Sequence, residues 1–174
     1  IVGEGPLRAS LEQLASELGI ADRVRFAGNA SSTELTALYH ACDIFALPSV
    51  TKAEAFGMVQ LEAMSCRKPV ICTDLPSGVP WVNQHGVTGL VVPPGDVHAF
   101  ADAIRTLIDN PDLRSSMGEQ SRSRVITEFS IHRMIAQTTG LSRSVLEGRS
   151  GRVRPPEGRG SSVETDGGGS REAR

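Results

Sequence analysis

The sequence predicts an α/β fold, a Rossmann-like parallel sheet flanked by helices, and two observations carry that prediction. Short apolar runs of strand length, at residues 43–47, 69–72 and 89–92, alternate with amphipathic stretches at helical spacing, the pattern of parallel strands joined by crossover helices. Pro48 and the sequence Pro93-Pro94-Gly95 then stop two of those runs, as residues that cannot extend a ladder do.

The elements follow in order. Ile1-Val2-Gly3 reads as the end of a strand, and Leu7, Leu11, Leu14 and Leu18 as one helix face closed by Gly19. Val24 and Phe26 mark a second strand. Ser31 with Glu34 fits a capping box opening a helix whose apolar face is Leu35, Leu38, Tyr39 and Cys42. A strand at 43–47, a polar loop and a helix at 56–64 come next, followed by a buried strand at 69–72. Residues 79–86 read as a loop and 89–92 as the last strand. Phe100, Ile104, Leu107 and Ile108 define a helix ending near Asn110-Pro111, and two further helices span about 113–129 and 131–146. Residues 1–148 form one domain in this reading, and the Gly, Arg and Ser of 149–174 form a disordered tail. The start at Ile1, inside an apolar strand, reads as the continuation of a longer chain.

Composition removes several function classes. A net charge of −2 with 4% aromatic residues leaves no nucleic-acid footprint, and no apolar run reaches membrane-span length. Three cysteines, Cys42, Cys66 and Cys72, form no CxxC pair, so they read as small core residues of a protein kept in a reducing, cytoplasmic setting. The mildly basic tail permits peripheral contact with the inner face of a membrane. His40, His85, His98 and His132 share no spacing that would build a His-based catalytic unit.

Ligands of open parallel sheets sit beyond the carboxyl ends of the strands, where loops enter helix N-termini. Two segments have that form. Gly3 and Gly5, around Glu4, allow close backbone approach to a ligand, and equally a plain tight turn. The run from Leu47 to Met64 is richer. The amides of Gly57, Met58 and Val59 at a helix start, with the helix dipole, suit a diphosphate, and Glu62, leaning back toward that start, suits a ribose diol. Glu54 could hold sugar hydroxyls or balance positive charge on a reacting sugar ring. On the residues alone, a dipole-stabilising Glu54 and a solvated Glu62 stand as the equal alternative.

Taken together the motifs resemble the family-four (group 1) retaining glycosyltransferases of GT-B architecture. The resemblance runs from Ile1 to about Leu146. It rests on Ile1-Val2-Gly3-Glu4-Gly5-Pro6, Val24-Arg25-Phe26-Ala27-Gly28 and Ala41-Cys42-Asp43-Ile44-Phe45-Ala46-Leu47-Pro48-Ser49. The E-x7-E motif from Glu54 to Glu62, Pro69-Val70-Ile71, Thr88-Gly89-Leu90-Val91-Val92 and Glu128-Phe129-Ser130 complete it. It implies the C-terminal, donor-binding half of a GT-B fold. The implied roles are Glu54 as the catalytic carboxylate on the donor sugar, Glu62 on the ribose, and the Phe56, Gly57, Met58 and Val59 backbone on the diphosphate. Gly3, Gly5, Ser49 and Lys52 complete the implied donor site. The substrate would be a nucleoside diphosphate sugar, with no cofactor and no metal, since no Asp-x-Asp pair is present. The partner would be an N-terminal acceptor domain, and the reaction hexosyl transfer to a glycan or lipid-linked acceptor.

Three departures qualify the carry-over. The family's diphosphate-neutralising Arg and Lys would precede Ile1, so this half is expected to bind donor weakly and not to turn over by itself. Arg67 stands where the family has Gly, and the tail has no counterpart in the pattern. Other readings are a GT-B sugar-nucleotide epimerase or synthase, and a truncated module that binds nucleotide without activity.

Overall fold

The computed structural model describes residues 1–146; the expected tail at 149–174 and the domain boundary at 148 lie outside them. Three parallel strands, β1 (Phe45–Leu47), β2 (Val70–Thr73) and β3 (Gly89–Val92), form a sheet in the order β1-β2-β3. The register pairs Phe45 with Val70 and Val70 with Gly89. Every residue of the central β2 is buried, which is why 69–72 reads as an unbroken apolar run.

Helices cover both faces, and the two-residue period of β2 divides the core. Val70 and Cys72 pack with Met64, Leu75, Val79 and Val82 on one face. Ile71 packs with Val92, Ala103, Leu107 and Met117 on the other. The helices are α1 (Arg8–Glu17), α2 (Ser32–Ala41), α3 (Met58–Ser65), α4 (Val79–Val82), α5 (Val97–Asp109), α6 (Pro111–Glu128) and α7 (Ile131–Leu146). Among the described residues none is long and apolar enough to cross a membrane. Ile1–Met134 make one compact unit, and the second begins at Ile135, within α7, a helix none of whose residues is buried.

The local signals hold where they were strongest. Ser31 and Glu34 form both halves of the capping box, and those hydrogen bonds hold the Glu34 carboxyl below the usual range. Gly19 closes α1 at φ +65, and Asp96, which periodicity did not pick out, caps α5 by accepting from the Ala99 amide at 2.9 Å. Cys42, Cys66 and Cys72 are all free thiols; burial pushes the Cys72 thiol up to about 11, as suits an inert core residue.

Two expectations need correction. Ile1-Val2-Gly3 and Val24–Phe26 are not ladder strands. They are joined through Ala27 to the Ile1 carbonyl at 2.8 Å and Gly3 to the Gly28 carbonyl at 2.7 Å, with Ile1 and Val2 exposed, so the pairing lacks the second neighbour that would make it a sheet. Residues 79–86 do not form one continuous loop: four of them turn into α4, because Pro80 sits in its first turn, where a missing amide costs nothing.

Arg67, standing where the resemblance has Gly, adopts the left-handed conformation with φ 59, as the only positive-φ residue other than glycine among those described. It ends the segment after α3, and its carbonyl lies so close to α6 that a Cβ on Gly118 would come within 2.3 Å of it. The left-handed backbone costs a side-chain-bearing residue roughly 1 kcal/mol or more. An exposed Arg67–Glu119 ion pair at 3.0 Å offsets at most part of that. Arg67→Gly is therefore expected to raise stability by about 0.5–1 kcal/mol, read as a higher urea midpoint at unchanged slope; a lower midpoint would show that the ion pair outweighs the strain.

Candidate functional site

The segment from β1 into α3 is built as a rigid turn. Thr73, at the end of β2, donates its hydroxyl to the Ser49 carbonyl at 2.5 Å, tying the start of the loop to the central strand. Val50, Thr51, Lys52 and Ala53 are exposed. The chain then tightens, and the Glu54 carboxylate accepts the Gly57 amide at 2.9 Å.

Gly57, the N-cap of α3, has φ 71 and ψ 58. Only glycine holds that geometry cheaply, and a Cβ here would also come within 2.6 Å of the Gln60 amide nitrogen and 3.0 Å of Leu47. From the other side the Gly78 amide donates to the Ala55 carbonyl at 2.7 Å. A Cβ on Gly78 would stand 2.7 Å from the Phe56 ring. Phe56 in turn packs on Trp81 and Phe129, with ring centroids 6.0 and 6.1 Å away. The fully buried Gln60 donates to the carbonyls of Phe56 and Val79. The backbone that presents the α3 amides is thus held by four separate elements of packing before any ligand arrives, which is what preorganisation requires.

Helix geometry leaves the Met58 and Val59 amides without intrahelical acceptors. The Gly57 amide, expected to be equally free, is occupied by Glu54, so the first carboxylate acts as the helix's own cap. Further along α3, Glu62 accepts the phenol of Tyr39, reaching across from α2, at 2.8 Å. Burial, and then the hydrogen bond to Glu62, push Tyr39 above the ordinary tyrosine range. A phenol whose value is raised in the fold is fully protonated below the ordinary value of about 10, and what that adds to stability is lost only as pH climbs through the raised one. Tyr39 therefore donates to Glu62 throughout the neutral range.

Ser49, Lys52, Glu54, Phe56, Gly57, Met58, Val59 and Glu62 lie together on this one strand–loop–helix unit. Gly3 and Gly5 precede α1, outside that unit. They line a cavity of ≈ 280 Å³ with Ile1, Glu4, Arg8 and Phe26, just under the usual range for a ligand pocket. Nothing within 4 Å of a Cβ would crowd either glycine, as expected of an open turn. His85 accepts the Val91 amide at 3.0 Å, a structural contact at the edge of β3. Among the described residues no three or more His, Cys, Asp or Glu are arranged so that they could hold a metal ion.

Sequence reasoning missed the residues that support the turn from behind. Arg124 of α6 is 7% exposed and donates to the carbonyls of Val82 at 3.0 Å and Trp81 at 2.9 Å, and to the Glu128 carboxylate at 2.7 Å. Asn83, fully buried, donates to the carbonyls of Val70 and Leu90 and accepts the Thr88 hydroxyl. Tyr39 belongs to the apolar face of α2, where its ring is buried, and its hydroxyl reaches beyond that face to Glu62.

A three-stranded parallel sheet with helices on both faces, whose strand–loop–helix unit carries two carboxylates with seven residues between them, has the fold of one Rossmann-like half of a GT-B glycosyltransferase. The chain belongs to the family Glycosyl transferases group 1, which matches residues 1–124. It is 33% identical over 150 residues to the O-antigen chain mannosyltransferase C of Escherichia coli, covering 86% of this chain and 40% of that protein. It is 40% identical over 133 residues to the D-inositol 3-phosphate glycosyltransferase of Corynebacterium glutamicum, covering 76% of this chain and 31% of that one. Among solved structures, Anabaena HepE in complex with UDP-glucose superposes with a TM-score of 0.74 at 28% identity, over 82% of this chain and 40% of that one. Sucrose-phosphate synthase from Thermosynechococcus elongatus gives 0.74 at 31% identity, over 84% and 38%. The chain therefore spans two fifths or less of the length of these relatives.

Proposed function

We propose that this chain is the donor-site half of a hexosyltransferase, taking a sugar from a nucleoside diphosphate to a glycan or lipid-linked acceptor with retention of configuration. The observation that carries the reading is the α3 turn. Helix amides, an exposed lysine and two carboxylates of separate roles are presented on backbone that is already locked. Relatives named for sugar transfer, and a neighbour holding UDP-glucose, support it.

In this reading the bond between the anomeric carbon and the diphosphate breaks as one to an acceptor oxygen forms, and the acceptor's hydroxyl proton passes to the departing diphosphate. The Met58 and Val59 amides and the α3 dipole take up the diphosphate charge, with Lys52 supplying a cation from the loop. Glu54 keeps one oxygen on the Gly57 amide and offers the other to the sugar hydroxyls, where its charge also stabilises the positive sugar ring of the transition state. Glu62 accepts the ribose diol. The acceptor surface and the remaining cations belong to the part of the relatives that this chain does not span, so transfer needs that part. Three free thiols fit a reducing, cytoplasmic setting, and contact with a membrane surface belongs to the complete protein.

Calorimetric titration of UDP, GDP and their sugars into the chain, beside Glu62→Ala, tests the reading. A nucleoside diphosphate should bind, and Glu62→Ala should weaken it by about 1–2 kcal/mol, the contribution of a hydrogen bond to a charged group. A folded chain that takes up none of them, or an alanine variant that binds equally well, would remove the donor-site assignment.

A further inference from the structure

Glu62 lies on the exposed side of α3, where a carboxylate ordinarily samples several rotamers. Here it does not stand alone. Tyr39 is the only buried residue of α2, and its ring packs against Phe45 of β1 with centroids 5.7 Å apart. That packing fixes where the hydroxyl can point, and it points at Glu62 Oε2 across 2.8 Å. A buried phenol could equally have been satisfied by a backbone carbonyl. Its partner is instead Glu62, the carboxylate that the donor-site reading assigns to the ribose.

We propose that Tyr39 is a positioning residue for nucleotide recognition, holding the Glu62 carboxylate in the orientation that receives the ribose 2′- and 3′-hydroxyls. The proposal rests on the donor-site reading above. A cis-diol delivers two hydroxyl hydrogens to a carboxylate, and both bonds form well only when the plane of that carboxylate is already set. The Tyr39 hydrogen bond occupies one lone pair of Oε2 and leaves Oε1 and the remaining Oε2 lone pair for the diol. The rotamer freedom that a bound nucleotide would otherwise have to remove is thus removed during folding, and ordering costs avoided at binding appear as affinity. A phenol is protonated through the neutral range even at its ordinary value of about 10, so Tyr39 donates at every pH at which the nucleotide would bind.

Tyr39→Phe keeps the ring on Phe45 and deletes only the hydroxyl. Calorimetry with whichever of UDP and GDP binds should show an affinity loss of about fivefold for this variant. The 2′,3′-dideoxy form of the same nucleotide should bind wild type and Tyr39→Phe alike. In the Glu62→Ala background Tyr39→Phe should cost nothing further. Because Tyr39 is the one tyrosine of the chain, its near-ultraviolet absorption gives a second readout in the unaltered protein: the ribose nucleotide should perturb it and the dideoxy form should not. Equal losses for both nucleotides would mean that Tyr39 acts only on the fold and would overturn the proposal. So would unchanged binding by Tyr39→Phe when Glu62→Ala is weakened, a result that leaves the donor site standing. Absence of binding by the folded wild-type chain overturns the donor site and this inference together.

Discussion

Gly89→Ala is expected to cost the fold more than about 4 kcal/mol, which puts it among the exceptional single substitutions. Gly89 opens β3 opposite Val70, and a Cβ built there falls 1.8 Å from the Val70 carbonyl oxygen and 2.7 Å from the Val70 nitrogen. The obstacle is backbone of the central strand, not the end of a flexible side chain, so it cannot move aside by changing rotamer. The same carbonyl accepts the Asn83 amide at 3.0 Å, so displacing it also unmakes a buried polar contact. The strain would then pass along β2 to Thr73, whose hydroxyl secures Ser49 at the start of the candidate donor loop. Chemical denaturation of the variant should show a collapsed midpoint, or the chain should fail to fold. A near wild-type midpoint would mean that β2 and β3 separate more cheaply than their register implies.

Arg124→Ala is expected to cost about 2–4 kcal/mol, through loss of hydrogen bonds and not of charge. Its guanidinium meets the carbonyls of Trp81 and Val82 in the last turn of α4, groups that a helix leaves unpaired. Removing it strands two acceptors at a cost of roughly 1–3 kcal/mol each when they stay dry. It also lies over the rings of Phe129 and Trp81, at 5.2 and 5.8 Å, and Trp81 packs on Phe56 beside the Gly57 turn. The effect should therefore reach the site. The chain has a single tryptophan, so a shift in its emission alongside a lowered urea midpoint reads both consequences. Arg124→Lys should recover only part of the loss, because an ammonium cannot span the two carbonyls as the planar fork does. Full recovery by lysine would show that charge alone matters.

Much of this protein was legible before any coordinate. Strand-length apolar runs, the Ser31 and Glu34 cap, the glycine after α1 and the carboxylate pair of Glu54 ahead of α3 and Glu62 on it are written within a few neighbouring residues. Short-range steric and hydrogen-bonding rules read such patterns directly. The strain at Arg67 was foreseeable only through the family resemblance, which has Gly where this chain has Arg.

The contacts that make the site rigid were not legible in that way. Tyr39 meets Glu62 from 23 residues away, and Arg124 meets Trp81 from 43. No periodicity distinguishes a tyrosine that merely fills a helix face from one whose hydroxyl finds a carboxylate. In the same way, α6 carries a buried arginine in a stretch whose other charges are mostly solvated. The two segments expected as strands near the start likewise met each other without a third neighbour. Sequence by itself determined the family and the alternation of the three central strands with their helices, and it named the residues proposed to carry the chemistry, because each of those depends on local pattern. Tertiary structure alone decided which buried polar groups found partners and which glycines left no room for a methyl group. Those outcomes depend on where chains distant in sequence come within a few ångströms of one another.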